Sequence, residues 1–95
     1  MKLALYSSVP KGEVPNLVAL QDEALAALPT VLVCPLKSGI ALTPLRVGVR
    51  WGSQTFIACT DLTRPIRRTM LRALGTLDDA TSQLIMERFL RLFAR

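Results

Sequence analysis

Four arginines, Arg64, Arg67, Arg68 and Arg72, fall within nine residues, with Pro65 among them. A guanidinium presents a planar fork of donors that matches a carboxylate or a phosphate. The cluster is therefore suited to contacting phosphates or clamping an acidic peptide, and equally to forming a solvated turn. Pro65 points to a rigid, exposed loop that presents its charge at low entropic cost. Ser38 is the one hydroxyl in a site-like place, in the loop after an apolar run, although no base adjoins it in sequence. Asp61 closes another apolar run and is expected to satisfy local backbone N–H groups. The chain has no histidine. That excludes Ser-His and Cys-His nucleophile pairs, histidine acid–base work and histidine metal ligation. No glycine-rich phosphate loop, metal-ligand spacing or dinucleotide fingerprint is present, so neither a cofactor nor a metal is expected.

Ninety-five residues make a single domain, 1–95. A chain of this length buries about 60–65% of its unfolded surface. Yet 51% of its residues are hydrophobic, more than a small monomer readily hides, and a homodimer is the expected remedy. The net charge of +5 points to an acidic partner, either nucleic acid or an acidic protein segment. With one Trp, one Tyr and three Phe, aromatic platforms for stacking bases are scarce. Cys34 and Cys59 each lie inside an apolar run without CxxC spacing, as buried free thiols of a reducing compartment do. The N-terminus does not read as a signal peptide and no apolar run is long enough to span a bilayer, so a cytoplasmic protein without membrane contact is expected.

The elements that position these residues follow from periodicity. Residues 1–8 begin as a strand, 9–12 form a turn and 16–21 a second strand. Residues 22–28 are either a short helix or a structured loop, closed by Pro29. Residues 30–36 are continuous, β-branched and apolar, hence buried on both faces, with Pro35 marking a strand end or edge. Residues 45–50 alternate, with Leu45, Val47 and Val49 inward and Arg46, Gly48 and Arg50 outward. A hairpin turn at 51–53 leads into a strand at 54–59. A basic turn and a short strand come next. Then Asp78 caps a closing helix whose apolar stripe is Leu84, Ile85, Phe89, Leu92 and Phe93, with Arg88, Arg91 and Arg95 opposite. Glu87 and Arg91 can pair at i,i+4. The fold class is mainly β with α: a small, strongly bent antiparallel sheet or partial barrel plus a C-terminal α-helix.

The order of these parts resembles the CcdB/MazF superfamily of type II toxins over nearly the whole chain, with the N-terminal half more like CcdB. The resemblance is carried by MKLALY, by LVALQDEALAALPTVLVCPLKS, by the hairpin LRVGVRWGSQTFIACTD and by LGTLDDATSQLIMERFLRLFAR. It implies an SH3-like barrel acting as a homodimer and neutralised by an acidic, partly disordered antitoxin, for which Arg64, Arg67, Arg68 and Arg72 are the expected contacts. Antitoxin complexes also bring nucleic acid within range as a partner. The CcdB branch is not enzymatic and inserts the end of its helix into the DNA gyrase A subunit. Its terminal Trp-Gly-Ile matches Phe93, Ala94 and Arg95 here, with a cation in place of the last apolar residue. The MazF branch cleaves single-stranded RNA, with an Arg-Pro opening the second strand and a Thr or Ser after the buried strand. Pro15-Asn16 and Lys37-Ser38 stand at those positions, and Thr63 at one that is usually basic. The leading expectation is a CcdB-like, non-enzymatic gyrase inhibitor with Phe93–Arg95 as target contacts. The alternatives are a MazF-like endoribonuclease using Ser38 and Arg64, or a non-toxic basic binding barrel.

Overall fold

The structure, a computed structural model, describes residues 1–21 and 28–93. The expectation for residues 22–28 falls almost wholly outside them. So do Ala94 and Arg95. The described residues form seven strands: β1 (Ala4–Ser7), β2 (Leu17–Ala19), β3 (Thr30–Lys37), β4 (Arg46–Trp51), β5 (Gln54–Cys59), β6 (Arg64–Arg67) and β7 (Arg72–Thr76). Short 3-10 turns at Thr60–Leu62 and Arg68–Met70 flank β6, and helix α1 (Asp79–Leu90) closes the fold, ending in a 3-10 turn at Arg91–Phe93. The strands pair antiparallel in the order β4-β5-β3-β2-β1-β7, with β6 added beside β3. This is the expected mainly-β class, a strongly curled half-barrel with one C-terminal helix.

β3 organises the sheet because it is paired on both edges. Leu17, Val18 and Ala19 of β2 lie opposite Pro35, Cys34 and Val33. On the other edge its first half pairs with β6, Thr30 opposite Arg67 through Val33 opposite Arg64. Its last two residues, Leu36 and Lys37, pair with Ala58 and Ile57 of β5. Pro35 therefore marks neither a strand end nor an edge. The Leu36 N–H donates to Asn16 O, 2.8 Å away, on the β2 side. Alternation puts the missing N–H of Pro35 on the other side, in the gap between β6 and β5, where no ladder bond is lost. Cβ alternation along β3 then feeds two cores. Cys34 and Leu36 join Leu3, Leu5, Val18, Val47, Val49, Ala58 and Ile85 beneath the helix. Val31 and Val33 join Ala4, Leu17 and Ala19 on the opposite face, covered by Tyr6, Ile66 and Leu71.

α1 is tied to the residue before β1 by a buried bond, Leu3 N–H donating to Ser82 Oγ at 2.9 Å, and Leu77 N–H, just before the helix, donates to Leu3 O at 2.8 Å. Its inward stripe is Ser82, Ile85, Met86 and Phe89. Leu84, Leu92 and Phe93 face outward instead, with Phe93 70% exposed. The expected stripe was displaced because the bond from Leu3 fixes Ser82 as the inner position, and 85, 86 and 89 then share its face. Asp78 stands at the N-cap as expected, without a side-chain capping bond. The Glu87–Arg91 pair forms at 2.8 Å.

The sheet's two outermost strands meet through an aromatic contact. The Trp51 ring at the end of β4 lies 3.3 Å from where a Cβ on Gly75 of β7 would stand. The hairpin that places Trp51 is a two-residue loop with Gly52 at φ 59°, the positive value its first position requires. Trp51→Ala opens this contact and should cost about 2–3 kcal/mol, somewhat less than for a fully buried Trp. Urea unfolding followed by circular dichroism checks it; a loss below about 0.5 kcal/mol would assign closure of the sheet to other contacts. Cys34 and Cys59 are free and buried, and burial pushes the Cys34 thiol up to about 12. A thiol reagent at pH 8 should leave native protein unlabelled and modify both cysteines in denaturant.

Candidate functional site

The register places side by side two of the positions matched to the resembled MazF branch. Leu36 is bonded to Asn16, and continuing the β2–β3 ladder one step sets Pro15 opposite Lys37. The start of β2 and the end of β3 thus meet at the rim of the sheet, where Ser38 enters the following loop. Pro15 is fully buried. Asn16 is occupied in holding the β1–β2 loop: its Oδ1 accepts from Ser8 N–H at 2.9 Å and its Nδ2 donates to Ser8 Oγ at 2.8 Å. Neither residue is free to replace an arginine. Lys37 and Ser38 are exposed, and their side chains have no hydrogen-bond or ion-pair partner among the described residues.

The loop after Ser38 is held by Arg46, which sequence reading took only as an outward strand residue. Its Nε and Nη2 donate to Asp61 Oδ1 and Oδ2, each at 3.3 Å, and its Nη1 donates to Ala41 O at 3.1 Å. Beside it, Thr60 Oγ1 donates to Leu45 O, and Thr63 Oγ1 to Thr60 O at 2.8 Å. Asp61 was expected to cap local backbone; its principal partner is instead this guanidinium. The bonds from Arg46 hold the Asp61 carboxyl below the usual carboxylate range. The charges of Arg46, Asp61 and Lys37 all act on the Cys59 thiol, which burial pushes up, so these groups share one end of the sheet. The signal for the Arg46–Asp61 pair is absent from local sequence, because the two lie fifteen residues apart and meet only through the β4–β5 register.

The basic cluster is not a loop. Arg64 and Arg67 lie on β6, while Arg68 and Arg72 belong to the turn and strand that follow. The segment is drawn into the sheet because β3 offers it an unpaired edge, which outweighs its weak strand propensity. Arg68 is engaged locally: its N–H donates to Pro29 O at 2.8 Å and its Nε to Leu28 O at 2.9 Å. Arg64, Arg67 and Arg72 are exposed, and Arg72 borders a cleft of about 250 Å³ with Ser8, Pro10 and Thr69. Arg64 stands opposite Val33. Five residue steps along the chain, about 16 Å of extended strand, separate that point from Ser38, so the expected Ser38–Arg64 pairing is not brought together. Of the expected helix-tip contacts, Phe93 is exposed and its ring meets Phe89 edge-on at 5.5 Å. Among the described residues no group of acidic, cysteine or histidine side chains could hold a metal ion, and no helix is long and apolar enough to cross a membrane.

Because the Asp61 carboxyl titrates below its unfolded value of about 3.9, the pair's contribution is complete above that value and is lost as pH falls through the folded pKa. Asp61→Asn should therefore be slightly less stable than the parent at pH 6, and the gap should close as pH falls below about 4. Both side chains are partly exposed, so the gap is small. Urea midpoints across this range check it; a gap independent of pH would remove the ion pair from the account.

No family model matches the chain, and no curated protein does. Solved structures do. The Mycobacterium tuberculosis toxin MazF-mt6 superposes with a TM-score of 0.75 at 19% identity, covering 98% of this chain and 96% of its own. A MazE-MazF structure from Deinococcus radiodurans gives 0.73 at 12% identity over 98% and 90%. MazF of the same organism gives 0.71 at 15% over 99% and 94%. The likeness fixes the fold. It contradicts the expectation of a non-enzymatic, CcdB-like chain, because these neighbours are MazF toxins. It also gives no support to a closer kinship with CcdB or to gyrase as a partner.

Proposed function

We propose that the chain is a MazF-like toxin of a type II toxin–antitoxin pair that cleaves single-stranded RNA at the Lys37–Ser38 end of β3. The observation that carries this reading is the juxtaposition of Lys37-Ser38 with Pro15-Asn16, the two positions at which the resembled family keeps its catalytic groups. Its support is a fold shared with MazF structures over nearly the whole length.

RNA carries its own nucleophile. The 2′-hydroxyl oxygen bonds to the adjacent phosphorus, the bond to the 5′-oxygen breaks, the 2′ proton is lost and the 5′-oxygen gains one. The protein must hold the phosphodiester and offset the charge that builds on its non-bridging oxygens. The ammonium of Lys37 supplies the cation that the missing arginine would have given, and the Ser38 hydroxyl supplies a donor one residue on. With no histidine in the chain, the carboxylate at this end is Asp61, kept ionised by Arg46. Arg46 positions both this carboxylate and the loop that carries Ser38.

A homodimer and an acidic antitoxin partner fit the same reading. A second copy would cover part of the exposed apolar surface, which includes Leu42, Met70, Leu90 and Phe93. Arg64, Arg67 and Arg72 present a cationic strip at the far end of β3 to an acidic, extended segment. Cleavage of a defined single-stranded RNA should be lost by about 100-fold in Ser38→Ala and in Lys37→Ala, with folding intact by circular dichroism. Arg64→Ala should cut at the parental rate. Absence of any cleavage by the parent protein at micromolar concentration would overturn the reading.

A further inference from the structure

Gly48 sits at the centre of β4 on the outer face of the sheet, and nothing among the described residues asks for glycine there. Its φ is not in the positive region. A Cβ built on it meets no atom of the described residues within 4 Å. Glycine in a strand interior costs about 0.5–1 kcal/mol against a residue with a side chain. An interior strand glycine often marks a bulge, a tight bend or a place that another molecule approaches closely, and β4 pairs with β5 through Gly48 without a register shift.

The surroundings say what kind of molecule. Arg46 and Arg50 flank Gly48 on the same face, each about 7 Å along the strand. Across the sheet, Gly48 is opposite Ile57 and Ile57 is opposite Lys37. Ile57 is half-buried and Lys37 and Arg50 are exposed. Neither cation has an acidic partner among the described residues, and the carboxylate of this region, Asp61, is taken by Arg46. The result is an open strip of Gly48 and Ile57, rimmed by cations and ending at Lys37, the residue before Ser38.

We propose that this strip is a binding subsite for one nucleotide of a single-stranded nucleic acid beside the cleavage position. The base lies across Gly48 and Ile57, and the flanking phosphates meet Arg50 and Lys37. A planar base needs the open strip, whereas an acidic peptide would need only the cations. The inference builds on the ribonuclease reading through Lys37 and Ser38.

The test uses the full chain and a fluorescent single-stranded DNA of mixed sequence, which lacks the 2′-hydroxyl and stays intact while binding is read by anisotropy. Gly48→Val should weaken binding at least 10-fold while its urea midpoint stays equal to the parent's or rises. Arg50→Gln should weaken it several-fold and lower the salt dependence of log affinity by about one. Parental binding by Gly48→Val would overturn the subsite, as would a lowered urea midpoint, since the glycine would then be structural. Equal competition by a polyglutamate peptide would overturn it too. If Gly48→Val loses binding although the parent cleaves no RNA, the subsite stands and the ribonuclease reading falls. If Ser38-dependent cleavage is present while Gly48→Val binds normally, the subsite alone falls.

Discussion

A strand bonded along both edges cannot slip without breaking two ladders, and a slip of one residue would turn every side chain to the wrong face. β3 is such a strand, with β2 on one side and β6 followed by β5 on the other. Its fixed register divides its apolar residues between two cores and delivers Lys37 and Ser38 to the rim at one end. The Trp51–Gly75 contact completes the curl by bringing the outermost strands together. The position of the candidate site is thus a consequence of how β3 is clamped.

The same clamp separates the cations into two groups. Lys37, Arg46 and Arg50 gather at the β4–β5 end, while Arg64 and Arg67 line the β6 end. Along β3, four residue steps, about 13 Å, separate Lys37 from the point opposite Arg64, which is more than the Debye length of about 8 Å at physiological ionic strength. Lys37 and Arg64 are therefore largely screened from one another. The Arg46–Asp61 pair shapes one of these groups from within, since it removes the local carboxylate from the surface field and ties down the loop that follows Ser38.

Much of this fold was legible in the sequence. The alternation of Val47 and Val49 with Arg46, Gly48 and Arg50, and the unbroken apolar run of β3, gave the strands and their buried faces. The failures share a cause. Arg64-Pro65-Ile66-Arg67 has one apolar residue and a proline, so local pattern reads it as a loop; it is a strand because β3 leaves an edge for it. Pro35 looked like a terminator because the gap between β6 and β5 that accommodates it is tertiary. The helix stripe was displaced by a bond from Leu3 that joins residues 79 positions apart. The site was half legible: Ser38 and Lys37 stood out by their place after the buried strand, while Arg46–Asp61 and the open face at Gly48 exist only once the register is set. The choice between branches could not be made from the helix tip, where an aromatic–small pair pointed toward CcdB while the global shape matches MazF.

The central claim is that nucleic acid meets this protein at the Lys37–Ser38 end of β3. Amide chemical-shift mapping with an uncleavable single strand tests it most directly. The account predicts saturable shifts at Lys37, Ser38, Gly48 and Ile57, with little change along β6. Shifts confined to Arg64, Arg67 and Arg72, or the absence of any localised shift, would contradict it.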